Sequence, residues 1–160
     1  MKTLTFDVTI QAPRAEVWTA MLGPDTYRTW TAAFSEGSHY EGSWDEGATI
    51  RFLAPSGDGM VSVIAENRPG TWVSIRHVGM IEQGVEDRTS DKVKAWAPAF
   101  ENYGFADVPG GCRVTVSVDT APEWESFMRE TFPKALGLLK DLCERGKLDA
   151  GSTERAGGGR

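Results

Sequence analysis

The chain of 160 residues is poor in the residue types that build metal and thiol chemistry, with two cysteines and two histidines. Cys112 and Cys143 lie far apart, and we expect both to be buried, reduced thiols, since two distant cysteines do not make a disulfide framework. His39 and His77 stand in no H-x-x-E-H, H-E-x-x-H or C-x-x-C setting. The sequence therefore predicts no metal site and no cofactor.

Catalytic signatures and long uniform runs are also missing. There is no serine elbow, no phosphate-binding loop and no dinucleotide fingerprint after the first strand, so no catalytic residues are assigned from motifs. No apolar run approaches the length that spans a bilayer, and MKTLTFDVTI lacks the apolar core and cleavage site of a signal peptide. We expect no membrane insertion and a cytoplasmic location.

Charge and composition set further limits. A net charge of −6, with no run of Lys and Arg, argues against a nucleic-acid or anionic-membrane surface. A hydrophobic fraction of 40% is that of an ordinary globular protein, and no linker-like stretch precedes residue 150. We therefore predict one domain over residues 1–149 and a disordered Gly- and Ser-rich tail over 150–160. We expect a monomer or a weak dimer.

Hydrophobic periodicity predicts strands and helices in a definite order. Apolar and polar residues alternate over 3–10, which is typical of a half-buried strand. Pro13 suits the first position of a helix that ends at Gly23-Pro24, and a second short helix is predicted for Asp25 to Trp30. The segment from Glu82 to Lys94 is charged and aperiodic, so we expect a loop or only a short helix there. Closely spaced turn residues indicate an antiparallel meander with strands at about 37–42, 48–54, 60–67, 71–80, 97–107 and 112–120.

A long amphipathic helix is predicted for residues 123 to 148, with a length of roughly 39 Å. Its stripe recurs at steps of three and four and should be buried, comprising Trp124, Phe127, Met128, Thr131, Ala135, Leu138, Leu139 and Leu142. Period two predicts that the strands turn a second set of side chains inward, with Ile50/Phe52, Val61/Val63/Ala65, Val73/Ile75/His77 and Val114/Val116/Val118. A sheet that curls around such a helix would enclose space for a ligand.

Local motifs along the chain resemble those of one known superfamily. Ala12–Trp18 resembles an "xAPxxxVW" helix entry, Tyr27–Trp30 a "Y/L-x-x-W" helix exit, and Gly42–Phe52 a "GxWxxGxxIRF" hairpin. Trp96 with Glu101-Asn102-Tyr103 resembles a "W…ExY" segment, and Pro133 an internal proline of the last helix. Together they are similar to the START-like, or SRPBCC, superfamily, in the branch of heat-shock-protein ATPase activator homologues.

The resemblance implies an α+β helix-grip fold, in which a seven-stranded curved antiparallel sheet surrounds a long C-terminal helix and two short helices follow the first strand. It implies much less about function. Members bind hydrophobic small molecules or lipids, cyclise polyketides, act as dehydratases, hold iron centres in larger oxygenases, or bind a chaperone, and fold alone does not choose among these.

Two titratable residues on predicted inward faces each leave two interpretations open. His77 follows Val73 and Ile75 at period two, and is either a satisfied core histidine or a hydrogen-bonding group or general base of a pocket. Glu101 shares a strand face with Tyr103 and Phe105 if that strand is regular. The alternative is that a bulge near Gly104 turns it to solvent or to Arg76.

The residues predicted to line a ligand site are the inward polar groups and the aromatic and apolar side chains of the same layer. They are Trp30, Phe52, Ile75, His77, Trp96, Glu101, Tyr103, Phe105, Phe127 and Met128. These residues indicate either binding of a small hydrophobic, aromatic or lipid-like molecule, or a cyclase- or dehydratase-like enzyme with His77 and Glu101 as an acid/base pair. The resemblance to the activator branch implies a third function, a chaperone partner or stress-response role, with Glu82 to Lys94 as the docking segment. The enzyme, the last of the three that we consider, requires the His77 and Glu101 side chains to converge.

Overall fold

The computed structural model describes the backbone of residues 1–157 and the side chains of residues 1–145. Within this part the fold is α+β, as predicted, with one antiparallel sheet, an early helix pair and a long C-terminal helix. The elements are β1 (Lys2–Ile10), α1 (Arg14–Leu22), α2 (Pro24–Thr31), β2 (His39–Gly42), β3 (Thr49–Leu53), β4 (Gly59–Arg68), β5 (Trp72–Glu82), β6 (Val85–Asp87), α3 (Asp91–Lys94), β7 (Ala99–Val108), β8 (Gly111–Thr120), a single 3-10 turn (Pro122–Trp124) and α4 (Glu125–Gly157).

The sheet is an antiparallel meander in which the first strand, β1, lies at one edge and pairs with the last strand, β8. Its order is β1-β8-β7-β5-β4-β3-β2, with β6 pairing to β5 off this path. β1 pairs with β8 over its whole length, from Lys2 opposite Thr120 to Ile10 opposite Cys112. Pro13 is the residue that caps α1, one position before the helix, and Pro24 occupies the start of α2.

The core lies between α4 and the inner face of the sheet. Thr131, Ala135 and Leu139 of α4 are each no more than 6% exposed, which confirms the central part of the predicted stripe, and Phe132 and Leu136 next to them are no more than 2% exposed. The same cluster includes the inward residues of the strands and of α1 and α2, among them Leu4, Ile10, Val17, Met21, Trp30, Ile50, Ile64, Val73, Val114 and Val116. Cys112 and Cys143 are buried free thiols.

Three members of the predicted helix stripe are exposed rather than buried. Trp124 is 55% exposed because it lies in the 3-10 turn, whose period of three residues does not continue the helical face. Phe127 and Leu138 are 39% and 38% exposed. The predicted domain limits and the disorder of the 150–160 tail concern residues beyond those whose side chains are described, so they stay predictions.

The burial pattern of β4 overturns part of the predicted inward set. Ser62 and Ile64 are fully buried on the inner face, whereas Val63 is half-buried and Ala65 is exposed. The β4–β5 register shifts twice: the extra residue lies in β5 at the Val61–Ser62 step, and it is Ala65 of β4 at the next shift.

The charged segment from Glu82 to Lys94 is more ordered than predicted. It contains strand β6 as well as the short helix α3, so the described sheet has eight strands rather than seven. Ser90 caps α3 by accepting a hydrogen bond from Val93 N, and the Val93 side chain is fully buried. No described helix is long and apolar enough to cross a membrane.

Candidate functional site

A chain of polar side chains crosses three strands on the inner face of the sheet. His77 Nδ1 lies 2.6 Å from Ser62 Oγ of β4, and His77 Nε2 lies 2.9 Å from Glu101 Oε1 of β7. The Tyr103 hydroxyl donates to the other carboxylate oxygen, Oε2. The register explains the convergence, because Ile75 pairs with Glu101 and His77 pairs with Ala99, two residues away on each strand.

Two hydrogen-bond directions in this chain follow from the chemistry of a carboxylate. A carboxylate only accepts, so His77 Nε2 and the Tyr103 hydroxyl both donate to Glu101. The other imidazole nitrogen, Nδ1, accepts from the Ser62 hydroxyl when His77 is neutral and donates to it when His77 is charged. Each polar group of the chain has a partner in this arrangement, and the strict strand register of β7 excludes the alternative in which a bulge turns Glu101 outward.

The four side chains differ in how far solvent reaches them. Ser62 is fully buried, His77 is 4% exposed and Tyr103 is 3% exposed, whereas the Glu101 side chain keeps 20% of its surface accessible. Ser, His and Glu in series have the composition of a hydrolytic triad, but the hydroxyl lies at the inaccessible end. The carboxylate is the group that a ligand can contact, so nucleophilic attack by Ser62 is not supported.

Aromatic rings pack against His77 and Tyr103, the two hydrogen-bond partners of Glu101. Phe52 lies edge-on to His77 with ring centroids 5.9 Å apart, and Tyr27 lies 6.0 Å from Phe52. Trp30 packs edge-on against Tyr103 at 6.3 Å. Its indole nitrogen donates to the Met21 carbonyl at 3.1 Å, so Trp30 is a satisfied core residue.

Trp44 and Tyr40 extend this cluster toward the β2–β3 end of the sheet. Trp44 contacts Tyr40 and Phe52 with centroid separations of 5.3 and 5.7 Å. The Trp44 indole N–H is buried and has no hydrogen-bond partner among the described residues. A buried donor without a partner costs free energy, and in native proteins it commonly marks a site completed by something else.

The phenols of Tyr27 and Tyr103 are held protonated. Burial, followed by the negative charge of Glu101, raises the pKa of each phenol well above its usual value. The hydrogen bond to Glu101 raises the pKa of Tyr103 further. Both side chains therefore act as neutral donors next to the carboxylate over the physiological pH range.

The predicted site residues fall into two groups in the structure. His77, Glu101, Tyr103, Phe52 and Trp30 come together as described, and buried Ile75 lies beside them on β5. The remaining four lie elsewhere: Phe105 packs against Trp18, Phe127 and Met128 lie toward the start of α4, and Trp96 is half-buried in the turn after α3, outside the core cluster.

Three members of the site were missed from the sequence. Ser62 enters because β4 turns Ser62 and Ile64 inward, whereas the period-two pattern predicts the alternate set, beginning at Val61, on the inward face. Tyr27 was assigned to a helix-exit motif and Trp44 to a hairpin motif, although both lie in aromatic-rich stretches. The spacing of aromatic residues at Tyr27, Tyr40, Trp44 and Phe52 is the signal that could have grouped them.

The interior between α4 and the sheet is occupied by the protein's own aromatic side chains. Phe132 stacks on Phe6 at 5.1 Å and meets Phe34 edge-on at 4.9 Å. The two pockets that the structure describes lie outside this interior, one beside α3 and one at the β4–β5 end of the sheet. Among the described residues no group of three or more His, Cys, Asp or Glu could hold a metal ion.

Comparison with known proteins supports the fold. No protein-family model matches the chain, and no curated protein matches it. DynU16, from the dynemicin biosynthetic locus, matches with a TM-score of 0.69 at 17% identity over 91% of this chain and 48% of DynU16, so this chain spans about half of that protein.

Two further solved structures match over nearly their whole length. The Aha1 dimer from Colwellia psychrerythraea has a TM-score of 0.68 at 17% identity, covering 92% of this chain and 99% of that one. Protein MLL2253 from Mesorhizobium loti has a TM-score of 0.69 at 14% identity, covering 90% and 98%. At these identities the likeness shows the shared fold, and function must be argued from the site.

Proposed function

We propose that the protein binds a small hydroxylated aromatic or lipid-like molecule on the inner face of the sheet, next to Glu101. The observation that carries the proposal is the Glu101 carboxylate, which is fixed by His77 and Tyr103 on an apolar wall and still keeps 20% of its side chain accessible. A hydrogen-bonded carboxylate among aromatic rings is suited to accept a hydrogen bond from a hydroxyl group of a ligand.

The unpartnered Trp44 N–H adds a second point of recognition. It is a donor within the same aromatic cluster, so it favours a ligand that carries an oxygen acceptor as well as a hydroxyl. A phenol with a neighbouring carbonyl has both groups on a flat apolar body. The interior is filled by side chains, and the ligand would enter by displacing the half-buried rings of Tyr27 and Phe52.

Titration with hydroxylated aromatic compounds tests this proposal. We expect saturable changes in tryptophan fluorescence and in the NMR signals of Tyr27, Trp44 and Glu101 with a panel of polyphenols and fatty acids. Glu101→Gln should weaken binding of hydroxylated ligands by roughly tenfold, the value of one charge-assisted hydrogen bond. Trp44→Phe should weaken the binding only of ligands that carry the oxygen acceptor.

A matched control separates this site from general charge effects. Glu41 is an exposed carboxylate on β2, so Glu41→Gln removes the same charge without touching the cluster and should leave affinity unchanged. Absence of any saturable change across the whole panel would overturn the proposal. Equal loss of affinity in both variants would show that the carboxylate of Glu101 is not a contact.

A second function, proton transfer, is favoured by the convergence of His77 and Glu101 at 2.9 Å. In this enzyme, Glu101 would remove a proton from carbon next to a ligand carbonyl, and the His77 and Tyr103 hydrogen bonds would hold the carboxylate in position. Cyclisation and dehydration of polyketide-like compounds begin with such a step.

Deuterium exchange tests the catalytic proposal independently of product formation. Acidic C–H protons of a 1,3-diketone panel should exchange with D₂O faster in the presence of the protein, and Glu101→Gln should remove the acceleration. The NMR titration above measures binding alone. A bound diketone that exchanges no faster than the free compound would leave binding standing and reject the catalytic role.

A further inference from the structure

A second recess lies on the opposite face of the sheet, where α3 packs beside β5. It is an open pocket with a volume of about 280 Å³. Val78, Ala97 and Pro98 contribute apolar surface beside the fully buried Val93, and Arg76, Arg88 and Lys94 contribute positive charge. Since Ile75 and His77 face the interior, Arg76 between them faces outward, so this pocket is separate from the Glu101 site.

The cations of the pocket are incompletely neutralised. Within the described part of the chain, Arg76 and Lys94 have no carboxylate within ion-pair distance. Arg88 lies 3.6 Å from Glu86, but Glu86 is also bound by Arg51 at the shorter distance of 3.1 Å. The chain as a whole carries a net charge of −6, so a local cluster of three cations has the opposite sign to the net charge of the molecule.

The absence of a side chain at Gly79 of β5 leaves room for the Arg88 side chain to lie against the strand. A Cβ atom on Gly79 of β5 would lie 2.9 Å from Arg88 Cγ and 2.5 Å from the Asp87 carbonyl oxygen. The missing side chain therefore lets the Arg88 stem lie directly against the strand. Asp87, the nearest other carboxylate along the chain, accepts from the Thr89 and Ser90 amides rather than from the pocket cations.

We infer that this pocket binds a phosphate monoester carried on a small apolar body. A phosphate monoester has close to two negative charges above pH 7, which matches three cations better than a single carboxylate does. Two guanidinium groups can each bind phosphate oxygens in a bidentate manner, and the lysine adds a point charge. The volume is near the lower limit of ligand pockets, which favours a compact molecule.

Phenyl phosphate is the probe for this site. We expect saturable NMR shifts at Arg76, Val93 and Lys94 with a Kd of about 1 mM or tighter at low salt. Inorganic phosphate and benzoate should each bind more weakly, the first lacking the ring and the second lacking one charge, and phenol should show no saturable binding.

Charge-removing variants locate the contacts. Arg76→Gln and Lys94→Gln alter exposed side chains, so both should fold normally while raising the Kd for phenyl phosphate by roughly tenfold for the arginine and severalfold for the lysine. Arg113→Gln is the matched control, because Arg113 is an exposed arginine on β8, away from the pocket. Its Kd should stay within about twofold of the parent protein.

Several results would overturn the inference. These are absence of saturable shifts up to about 10 mM phenyl phosphate, equal binding of phenol, equal binding of inorganic phosphate, or an equal loss in the Arg113→Gln variant. Failure here would not affect the Glu101 proposal, since Glu101→Gln should leave phenyl phosphate binding unchanged and Arg76→Gln should leave polyphenol binding unchanged.

Discussion

The variant Tyr103→Phe removes one hydroxyl group. It tests whether Glu101 is an ionised carboxylate whose hydrogen bond to Tyr103 stabilises the folded protein. The phenyl ring keeps the packing of Tyr103, which is 3% exposed, so the change is confined to the hydrogen bond to Glu101. A hydrogen bond to a charged group contributes about 1.5–3 kcal/mol, and we expect a loss of about 2 kcal/mol in the free energy of unfolding. For a protein of this size that lowers Tm by about 6 °C.

A double-mutant cycle with Glu101→Gln measures the interaction free energy between Tyr103 and Glu101 more directly. The glutamine oxygen still accepts from the Tyr103 hydroxyl, but as a neutral group, for which the bond contributes only about 0.5–1.5 kcal/mol. Tyr103→Phe should therefore cost about 1 kcal/mol less in the Glu101→Gln background than in the parent protein. Urea unfolding followed by tryptophan fluorescence measures all four free energies.

The control in this cycle is Tyr40→Phe, which removes a hydroxyl that donates to the Leu22 carbonyl rather than to Glu101. Its cost should be the same in both backgrounds to within about 0.5 kcal/mol. A coupling between Tyr103 and Glu101 that is no larger than the Tyr40 value would refute the assignment of an ionised, hydrogen-bonded carboxylate.

Three further predictions concern titration, thiol reactivity and packing. Because the pKa values of Tyr27 and Tyr103 are raised in the folded state, the stability they contribute is complete below about pH 10 and is lost as pH rises further, so their tyrosinate absorbance should appear together with alkaline unfolding. Burial raises the pKa of Cys143 to about 11 and also raises that of Cys112, so neither thiol should react with a disulfide reagent at neutral pH until the protein unfolds. Phe132→Ala should reduce the free energy of unfolding by about 3–5 kcal/mol in urea titrations.

Each of these predictions has an outcome that contradicts it. Ionisation of all three tyrosines in protein that is still folded would contradict the titration prediction. Rapid labelling of either cysteine in native protein would contradict the prediction on thiol reactivity. For the third, Phe127→Ala is the matched control, since that ring is 39% exposed and its loss should cost less than Phe132. Equal costs at the two positions would contradict the assignment of Phe132 to the core.

The fold was largely predictable because its longest signals are periodic. The alternation in β1, the stripe of α4 and the turn residues between the strands each determine an element before any tertiary contact is considered. Trp124 shows the limit of this reasoning. It fits the helical spacing, but Pro122 starts a 3-10 turn whose different period places the ring in solvent.

The candidate site was predictable only in part. His77 and Glu101 could be placed on the inner face because β5 and β7 keep regular alternation up to the point where the two residues meet. Ser62 could not be predicted, because β4 carries apolar residues on both of its alternating faces, and the face with Val61 and Val63 is the more apolar of the two in the sequence. Which ring of the interior would contact Glu101 depends on packing between distant segments, and aromatic composition does not specify it.

The pairing of β1 with β8 has a consequence for synthesis of the chain. Ile10 lies opposite Cys112, so the first strand has no partner until about 100 further residues have been made. At a synthesis rate of about 5–20 residues per second, the apolar side of β1 waits about 5–20 s. The pairs β2–β3, β3–β4 and β4–β5 each join strands that follow one another in the chain and can form first. On the ribosome, therefore, β1 joins the sheet only when β8, the last strand to be synthesised, becomes available to pair with it.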